Sequence, residues 1–174
     1  MKRNTFPLLV ILILAVIAFT TSTSVAIVPE HGPSASGSGQ FRFRDPQTAR
    51  SEVFSFSFEA ISNKNGQTRG RAQFDNLTTQ TQVVVRINCL SVSSLFGADH
   101  AVISGIVLHS NDPDLPKLET VLFAATDGPA FPNSSADTMT PLFPFPPFEG
   151  VRDCRDVQPL TIIPIDEGDI VIQP

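Results

Sequence analysis

The chain of 174 residues has no tryptophan and no tyrosine, so all of its aromatic surface comes from 14 phenylalanines. Sugar-binding faces and single-stranded nucleic-acid platforms use aromatic stacking, usually by a large or polar-tipped ring, and this absence argues against both. Charged side chains make up only 17% of the chain, which excludes a coiled coil. The net charge is −5, whereas nucleic acids and anionic membranes require clustered lysine and arginine. No nucleic-acid partner is therefore expected.

Long apolar runs are confined to the N-terminus. A short positive region, Met1-Lys2-Arg3, precedes an apolar run from Phe6 to Phe19, and small residues lead to a cleavage point after Ala26. This layout predicts a secretory signal peptide over residues 1–26 and a mature chain in the extracellular space or the periplasm. An uncleaved membrane anchor is the alternative, although a spanning helix needs about 20 apolar residues. After cleavage the chain keeps all 17 acidic residues but only 10 of its 12 basic ones, and no membrane contact is expected.

Cysteine is nearly absent as well, with only Cys89 and Cys154. In an oxidising compartment an even pair is most simply a disulfide. Such a bridge would close a loop of about 65 residues and stabilise the fold by about 4 kcal/mol in the chain-entropy model. Two buried thiols are the alternative. A catalytic cysteine is disfavoured, because pairing would consume the nucleophile.

The mature sequence begins with a segment that has no apolar period. Residues 27–39 include the small-residue run Gly32–Gly39, and this composition predicts a flexible linker. From residue 40 onward the dominant period is two. Phe54, Phe56 and Phe58 alternate with polar residues, which predicts a strand with one apolar face. The dipeptide Asn65-Gly66 predicts a hairpin turn directly after that strand.

Similar alternation continues to the C-terminus. It predicts further strands over 68–75, 82–92, 101–108 and 120–126, and one or two last short strands over 160–163 and 169–172. Ile87 and Cys89 are expected on one strand face, and Gly105 is expected at a bulge or a close-packing site. Seven or eight strands without a helix of two turns indicate a single all-β domain over residues 40–174. The expected architecture is an antiparallel β-sandwich or a partly open β-barrel.

Several of these segments together resemble a known group of domains. They are Gly39–Phe43, Asn65-Gly66, Gly70–Asn76, Asn88–Val92, Ala101–Gly105, Phe123–Pro129 and Gly168–Ile172. They resemble uncharacterised secreted bacterial β-domains related to the post-COAP domain, which is named for its place after choice-of-anchor modules. The resemblance spans about residues 39–173. It implies a secreted or surface-located module without an assigned reaction, and it adds no site residue.

Motifs for catalysis are missing from the sequence. No Gly-x-Ser-x-Gly elbow, phosphate-binding loop or dinucleotide fingerprint occurs. His100 and His109 are separated by about 30 Å of extended chain, too far to share a metal ion, and both are expected on the surface, as is His31. Glu52 and Glu59 lie in the phenylalanine-rich strand, and neither stands out as more than a solubilising charge. Glu59 has the parity of the polar residues, which predicts a solvent-exposed side chain.

Two groups of residues are candidates for binding. Asp112, Asp114 and Asp127 lie in loops between late strands and are candidate calcium ligands, although the spacing of the calcium-binding loop is absent and a hydrated acidic rim is the alternative. The proline-rich stretch 141–148 contains the other group, Phe143, Phe145 and Phe148. These phenylalanines are interpreted either as a hydrophobic patch for a partner or, preferentially, as a plug at the open end of the sheet.

The sequence therefore predicts a secreted, non-catalytic structural or binding β-domain with an extracellular or cell-surface partner of unknown identity. No cofactor other than calcium is expected. A small secreted hydrolase with strand-borne carboxylates is one alternative. The same domain held at a membrane by an uncleaved anchor is the other.

Overall fold

The part of the chain that the structure describes consists mainly of β-strands. A computed structural model describes residues 31–44, 49–95, 97–128, 136–144, 154–157 and 163–174. Its strands are β1 (His31–Arg44), β2 (Ser51–Asn63), β3 (Thr68–Asn76), β4 (Thr81–Leu95), β5 (Ala98–Ser110), β6 (Thr120–Asp127), β7 (Thr138–Met139), β8 (Phe143–Pro144) and β9 (Ile163–Gln173). The helical structure in these ranges is one short 3-10 helix, Cys154–Asp156.

The strands form one antiparallel sheet whose two ends meet. The order around the sheet is β5-β4-β3-β2-β1-β9-β7-β6, and β6 then pairs with β5 to complete a ring. The short strand β8 pairs with the N-terminal part of β6. The predicted all-β antiparallel class is confirmed, with a single closed sheet in place of two packed sheets. Closure leaves few strand edges exposed among the described strands, which protects the sheet from pairing with other chains.

Phenylalanines fill the interior of the ring. The alternation in β2 directs Phe56 and Phe58 inward, where they are almost completely buried with Phe41, Phe74 and Phe123. The Phe123 ring packs edge-on against Phe58 and Phe74, with centroids 5.4 and 5.2 Å apart. Each buried phenylalanine contributes about 1.5–3 kcal/mol relative to an exposed one. The period of two therefore specifies both the strands and the core.

The predicted flexible linker over 27–39 is wrong for residues 31–39, and residues 27–30 lie outside the described ranges. Gly32–Gly39 belongs to β1, which pairs with β2 on one side and β9 on the other. The small residues are required by close packing. A Cβ atom on Gly37 would lie 2.9 Å from both the Phe58 ring and the Ile170 side chain. The all-β domain thus includes residues 31–39, ahead of the predicted start at residue 40.

A β-bulge in β4 overturns the prediction that Ile87 and Cys89 share a face. Ile87 pairs with Gly105 and Cys89 pairs with Ser104, so Asn88 has no partner residue in β5. The extra residue reverses the alternation. Ile87 packs in the interior, whereas Cys89 joins a separate cluster on the outer face. Gly105 is a close-packing site as predicted, since a Cβ atom there would lie 2.6 Å from Val85 Cγ1.

The predictions for turns and strand ends are partly confirmed and partly wrong. The hairpin at Asn65-Gly66 is confirmed, with Gly66 at φ +74° and its N–H donating to the Asn63 carbonyl at 2.9 Å. Strands β4 and β5 extend beyond the predicted ranges 82–92 and 101–108, because they stay paired up to Leu95 and Ala98. At the C-terminus, the predicted strand 169–172 is part of the longer strand β9, whereas residues 160–162 of the other predicted strand lie outside the described residues.

Candidate functional site

A cavity of about 220 Å³ opens at one end of the ring. This cavity end is formed by the β3–β4 turn, the β5–β6 loop and the segment that contains β8. The cavity is lined by residues from six parts of the chain: Phe43, Glu52, Phe54, Phe74, Asn76, Thr81, Val83, Asp112, Asp114, Leu115, Pro141, Leu142, Phe143 and Pro144. Two of the predicted binding groups, the aspartates of the β5–β6 loop and the proline-rich segment, therefore meet at one place.

The floor of the cavity is apolar. Phe43, Phe54 and Phe74 come from the three neighbouring strands β1, β2 and β3, and the first two are only partly covered by the core. Leu115 enters from the β5–β6 loop and is buried. Phe143 lines the cavity and is half-buried. Phe145 and Phe148, the other two phenylalanines predicted to plug this end, lie outside the described residues.

Glu52 is an acidic residue on the inner face of the sheet at this end. It has the same parity in β2 as Phe54 and Phe56, which directs its side chain toward the cavity. Asn76 Nδ2 donates to Glu52 Oε2 at 2.8 Å. Asn76 itself is 7% exposed, and its Oδ1 accepts from the N–H groups of Thr78 and Thr79 at 3.0 and 3.1 Å. The β3–β4 turn thus fixes the amide that orients the Glu52 carboxylate.

Asp112 and Asp114 also line the cavity, in the β5–β6 loop. The N–H of Asp114 donates to Asp112 Oδ1 at 2.9 Å, and the N–H of Asp112 donates to Ser110 Oγ at 2.9 Å. These local bonds define the turn that follows Ser110. Asp112 is half-buried and Asp114 is exposed. The Asp114 side chain is therefore the more accessible of the two to a ligand.

Asp127, the third candidate calcium ligand, is not close to the other two. It ends β6, whereas Asp112 and Asp114 precede the start of the same strand. The two ends of β6 are seven residue steps apart, which is about 23 Å along an extended strand. The Asp127 Oδ2 atom accepts from the N–H of Ile172 at 3.0 Å. The three aspartates consequently do not form one ion site, and no group of three His, Cys, Asp or Glu side chains in the described ranges is arranged to hold a metal.

Asp137 has a related structural role. Its Oδ2 atom accepts from the N–H of Ile170 at 2.8 Å, while its backbone carbonyl accepts from the N–H of Ile165 at 3.0 Å. In a straight strand these two nitrogens would be about 16 Å apart, too far for one aspartate to span. Strand β9 therefore bends between them, where Asp166 is skipped in the register with β1 and Gly168 has φ +115°.

The remaining polar candidates lie away from the cavity. His100 was expected on the surface, but it is buried at 5% exposure, and its Nδ1 lies 2.8 Å from Thr126 Oγ1. The burial follows from the register of β5 with β6, in which His100 lies opposite Thr126, a side chain that is itself fully buried. His109 is exposed as predicted, and Glu59 is exposed on the outer face of β2 as predicted.

The predicted disulfide is present. Cys89 and Cys154 are bonded, with Cα atoms 5.9 Å apart and a sequence separation of 65 residues. Cys154 is fully buried with Val102 and Leu122 on the outer face. Next to it, Arg155 Nη2 donates to the carbonyl of Gly66 at 3.0 Å. The bridge therefore anchors the short 3-10 helix over the outside of the sheet, far from the cavity end.

Comparisons with known proteins do not add a functional assignment. No protein-family model, curated protein or solved structure matches this chain. Among the helices of the described residues, none is both long and apolar enough to cross a membrane. The site is therefore defined by its own geometry.

The sequence alone did not indicate that Glu52 and Asn76 belong together. They are 24 residues apart and meet only because β2 and β3 pair in antiparallel register, with Phe54 opposite Asn76. One signal was available: Glu52 has the parity of the buried phenylalanines, and a carboxylate at an inward position is unusual for a solubilising charge.

Proposed function

We propose that this protein is an exported, non-catalytic β-domain that binds a small ligand in the cavity at the end of its ring. The observation that supports binding is the cavity itself, which combines an apolar floor with a few oriented polar groups. Ligand sites in proteins usually have this composition. Its volume of about 220 Å³ exceeds the approximately 150 Å³ that accommodates benzene in a dry protein cavity. The ligand is therefore the size of one ring with a short substituent.

Export is supported by two independent features. The N-terminal segment has the layout of a signal peptide, and disulfides persist mainly in oxidising compartments. In this proposal the ligand is extracellular or periplasmic. The likeness to post-COAP-related domains, which are secreted or surface-located, agrees with this location.

Titration with 2-phenylethanol, a neutral probe of suitable size, tests the binding function. The full protein with its disulfide intact is titrated by calorimetry, alongside the variant Thr81→Trp. Thr81 lines the cavity, so the larger side chain should occupy it and reduce the affinity at least tenfold, since a ligand cannot share a close-packed volume.

Thr120→Trp is the matched control, because Thr120 is exposed at the start of β6 and its neighbour Val121 takes the inward position. This control should bind the probe like the unmodified protein. Equal loss in both variants, or failure of the unmodified protein to bind this probe or its charged analogues, would refute the proposed site.

Hydrolysis is the alternative function. Glu52 and Asp112 are carboxylates in one cavity, as a glycosidase requires. Binding is favoured because the cavity floor consists of phenylalanine and leucine side chains, which offer no hydrogen bonds to the hydroxyl groups of a sugar. Release of nitrophenol from nitrophenyl glycosides, abolished by Glu52→Gln, would favour the hydrolase instead.

Export has its own test, the intact mass of the protein from the exported fraction of its host. A mass corresponding to residues 27–174 less two hydrogens, with two alkyl groups added only after reduction, is expected. A full-length chain retained in the membrane would instead support the uncleaved anchor.

A further inference from the structure

We infer that the end cavity selects a small organic cation, namely a primary amine joined to an apolar body about the size of a phenyl ring. This inference depends on the proposed binding function and adds the charge of the ligand. It is derived from the charges around the cavity, from the remaining hydrogen-bonding capacity of Glu52 and from the apolar floor.

The charged groups that line the cavity all have one sign. They are Glu52, Asp112 and Asp114, and no lysine, arginine or histidine is among the described residues of the lining. A concave site with carboxylates and low-dielectric walls concentrates a negative potential. An amine is attracted to such a site, whereas a carboxylate of the same shape is repelled.

Glu52 is oriented to receive an ammonium group. Its Oε2 atom accepts from Asn76, but an ionised carboxylate offers about four acceptor positions. The carboxylate is therefore both fixed in direction and able to accept further bonds. An N–H donor with a positive charge forms a hydrogen bond about twice as strong as a neutral donor.

The apolar floor favours an organic cation over a metal ion. Calcium takes six to eight oxygen ligands, whereas the floor of this cavity consists of phenylalanine and leucine side chains. Phenyl rings such as those of Phe43 and Phe54 attract ammonium groups as well as apolar ones. An amine with an apolar body satisfies both parts of the lining, which neither a metal ion nor a hydrocarbon does.

The test compares three probes that share one ring: phenethylamine, 2-phenylethanol and phenylacetate. Each is titrated by calorimetry into the full oxidised protein at low salt. Phenethylamine should bind about tenfold more tightly than 2-phenylethanol, because a charge-assisted bond replaces a neutral one. Phenylacetate should bind more weakly than either. Added salt should reduce the affinity for the amine and leave that for the alcohol unchanged.

Substitutions of single carboxylates test which side chains cause the preference for the amine. Glu52→Gln keeps an oxygen for Asn76 but removes the charge, and it should weaken amine binding about fivefold to tenfold while changing alcohol binding less than twofold. Asp114→Asn is a second variant at an exposed residue of the lining, where folding is not at risk, and it should weaken amine binding about twofold to threefold. Glu59→Gln is the matched control, since Glu59 is exposed on the outer face of the same strand.

The outcomes separate this inference from the proposed function. Equal affinity for amine and alcohol would overturn the inference and leave the binding function intact. Amine selectivity that survives both cavity variants would also overturn it, because the attraction would then come from the net charge. Competition by calcium at equal strength would identify a metal site and overturn it too. Binding of none of the probes would refute the inference and the binding function together.

Discussion

Two groups of carboxylates among the described residues differ in what they contact. Asp127 and Asp137 accept hydrogen bonds from backbone N–H groups of β9. Glu52 and Asp114 face the cavity. The first group replaces backbone carbonyls at the point where β7, only two residues long, joins β6 to β9. A short strand leaves N–H groups of a long neighbour without partners, and an aspartate side chain can supply the missing acceptor.

Replacement of Asp137 by alanine should lower the free energy of unfolding by about 2–4 kcal/mol, because its carboxylate accepts from both Ile170 and Gly128 and these donors would lose a charged acceptor. Denaturant unfolding measures this change. Asp166→Ala is the control, since Asp166 forms an ion pair with Arg42 at 3.9 Å with side-chain exposures of 52% and 64%. The control should change stability by less than about 0.5 kcal/mol. Similar effects of the two substitutions would contradict the role of Asp137.

At the scale of the strand, the bend in β9 depends on glycine. Gly168 has φ +115°, and a Cβ atom there would lie 2.5 Å from Gly39 Cα. Gly39 faces the same contact from β1, where an added Cβ would collide with the carbonyl of Glu167. The two strands approach closely at this pair, which lets β1 and β9 turn the corner of the ring together.

Gly168→Ala should therefore destabilise the protein by about 3 kcal/mol, as a left-handed backbone and a steric clash act at one residue. Gly97→Ala separates these causes. Gly97 also has positive φ, at +85°, but nothing lies within 4 Å of its Cβ position, and this variant should lose only about 1 kcal/mol. Thermal unfolding of the two variants compares them directly. Equal losses would show that backbone conformation alone sets the cost at Gly168.

The local sequence pattern predicted which segments form strands. It was a poorer guide to where each strand ends and to which of its side chains point inward. The alternation of Phe54, Phe56 and Phe58 specifies β2, because only a strand places all three on one face. The small residues of β1 instead predicted a flexible linker. Glycine is typical both of flexible chain and of close backbone contact, and only the position of β9 distinguishes these cases. Likewise, the bulge at Asn88 depends on the register with β5, which no local pattern encodes.

The candidate site was predictable only in part, for a similar reason. Asp112, Asp114 and Phe143 were identified as binding residues from their loop positions, and all three line the cavity. Their convergence with Glu52 was not predicted, since it requires the closure of the ring. Asp127 was grouped with Asp112 by composition, but the length of β6 separates them.

The disulfide acts at the scale of the whole molecule. It joins β4 to the chain just before β9, across 65 residues, and so restricts the unfolded chain over more than a third of its length. Cys89→Ala/Cys154→Ala should lower the free energy of unfolding by about 2–5 kcal/mol. The free energy of unfolding of the unmodified protein in reductant should fall to a similar value. This measurement controls for the loss of sulfur packing in the alanine variant. A double variant as stable as the oxidised protein would contradict this role.

In the proposed function, the ligand binds at the cavity end of the ring. Hairpins close the far end, including the β2–β3 turn around Asn65 and Gly66, which is tied to the outer helix by Arg155.

The most direct test of this account is a map of backbone amide chemical shifts during titration of the oxidised protein with phenethylamine. The account predicts saturable shifts at the cavity end, at Glu52, Asn76 and Leu115, with the amides of Asn65 and Gly66 unchanged. Shifts concentrated on the outer face or at the far hairpins, or no saturable shift at any position, would contradict it.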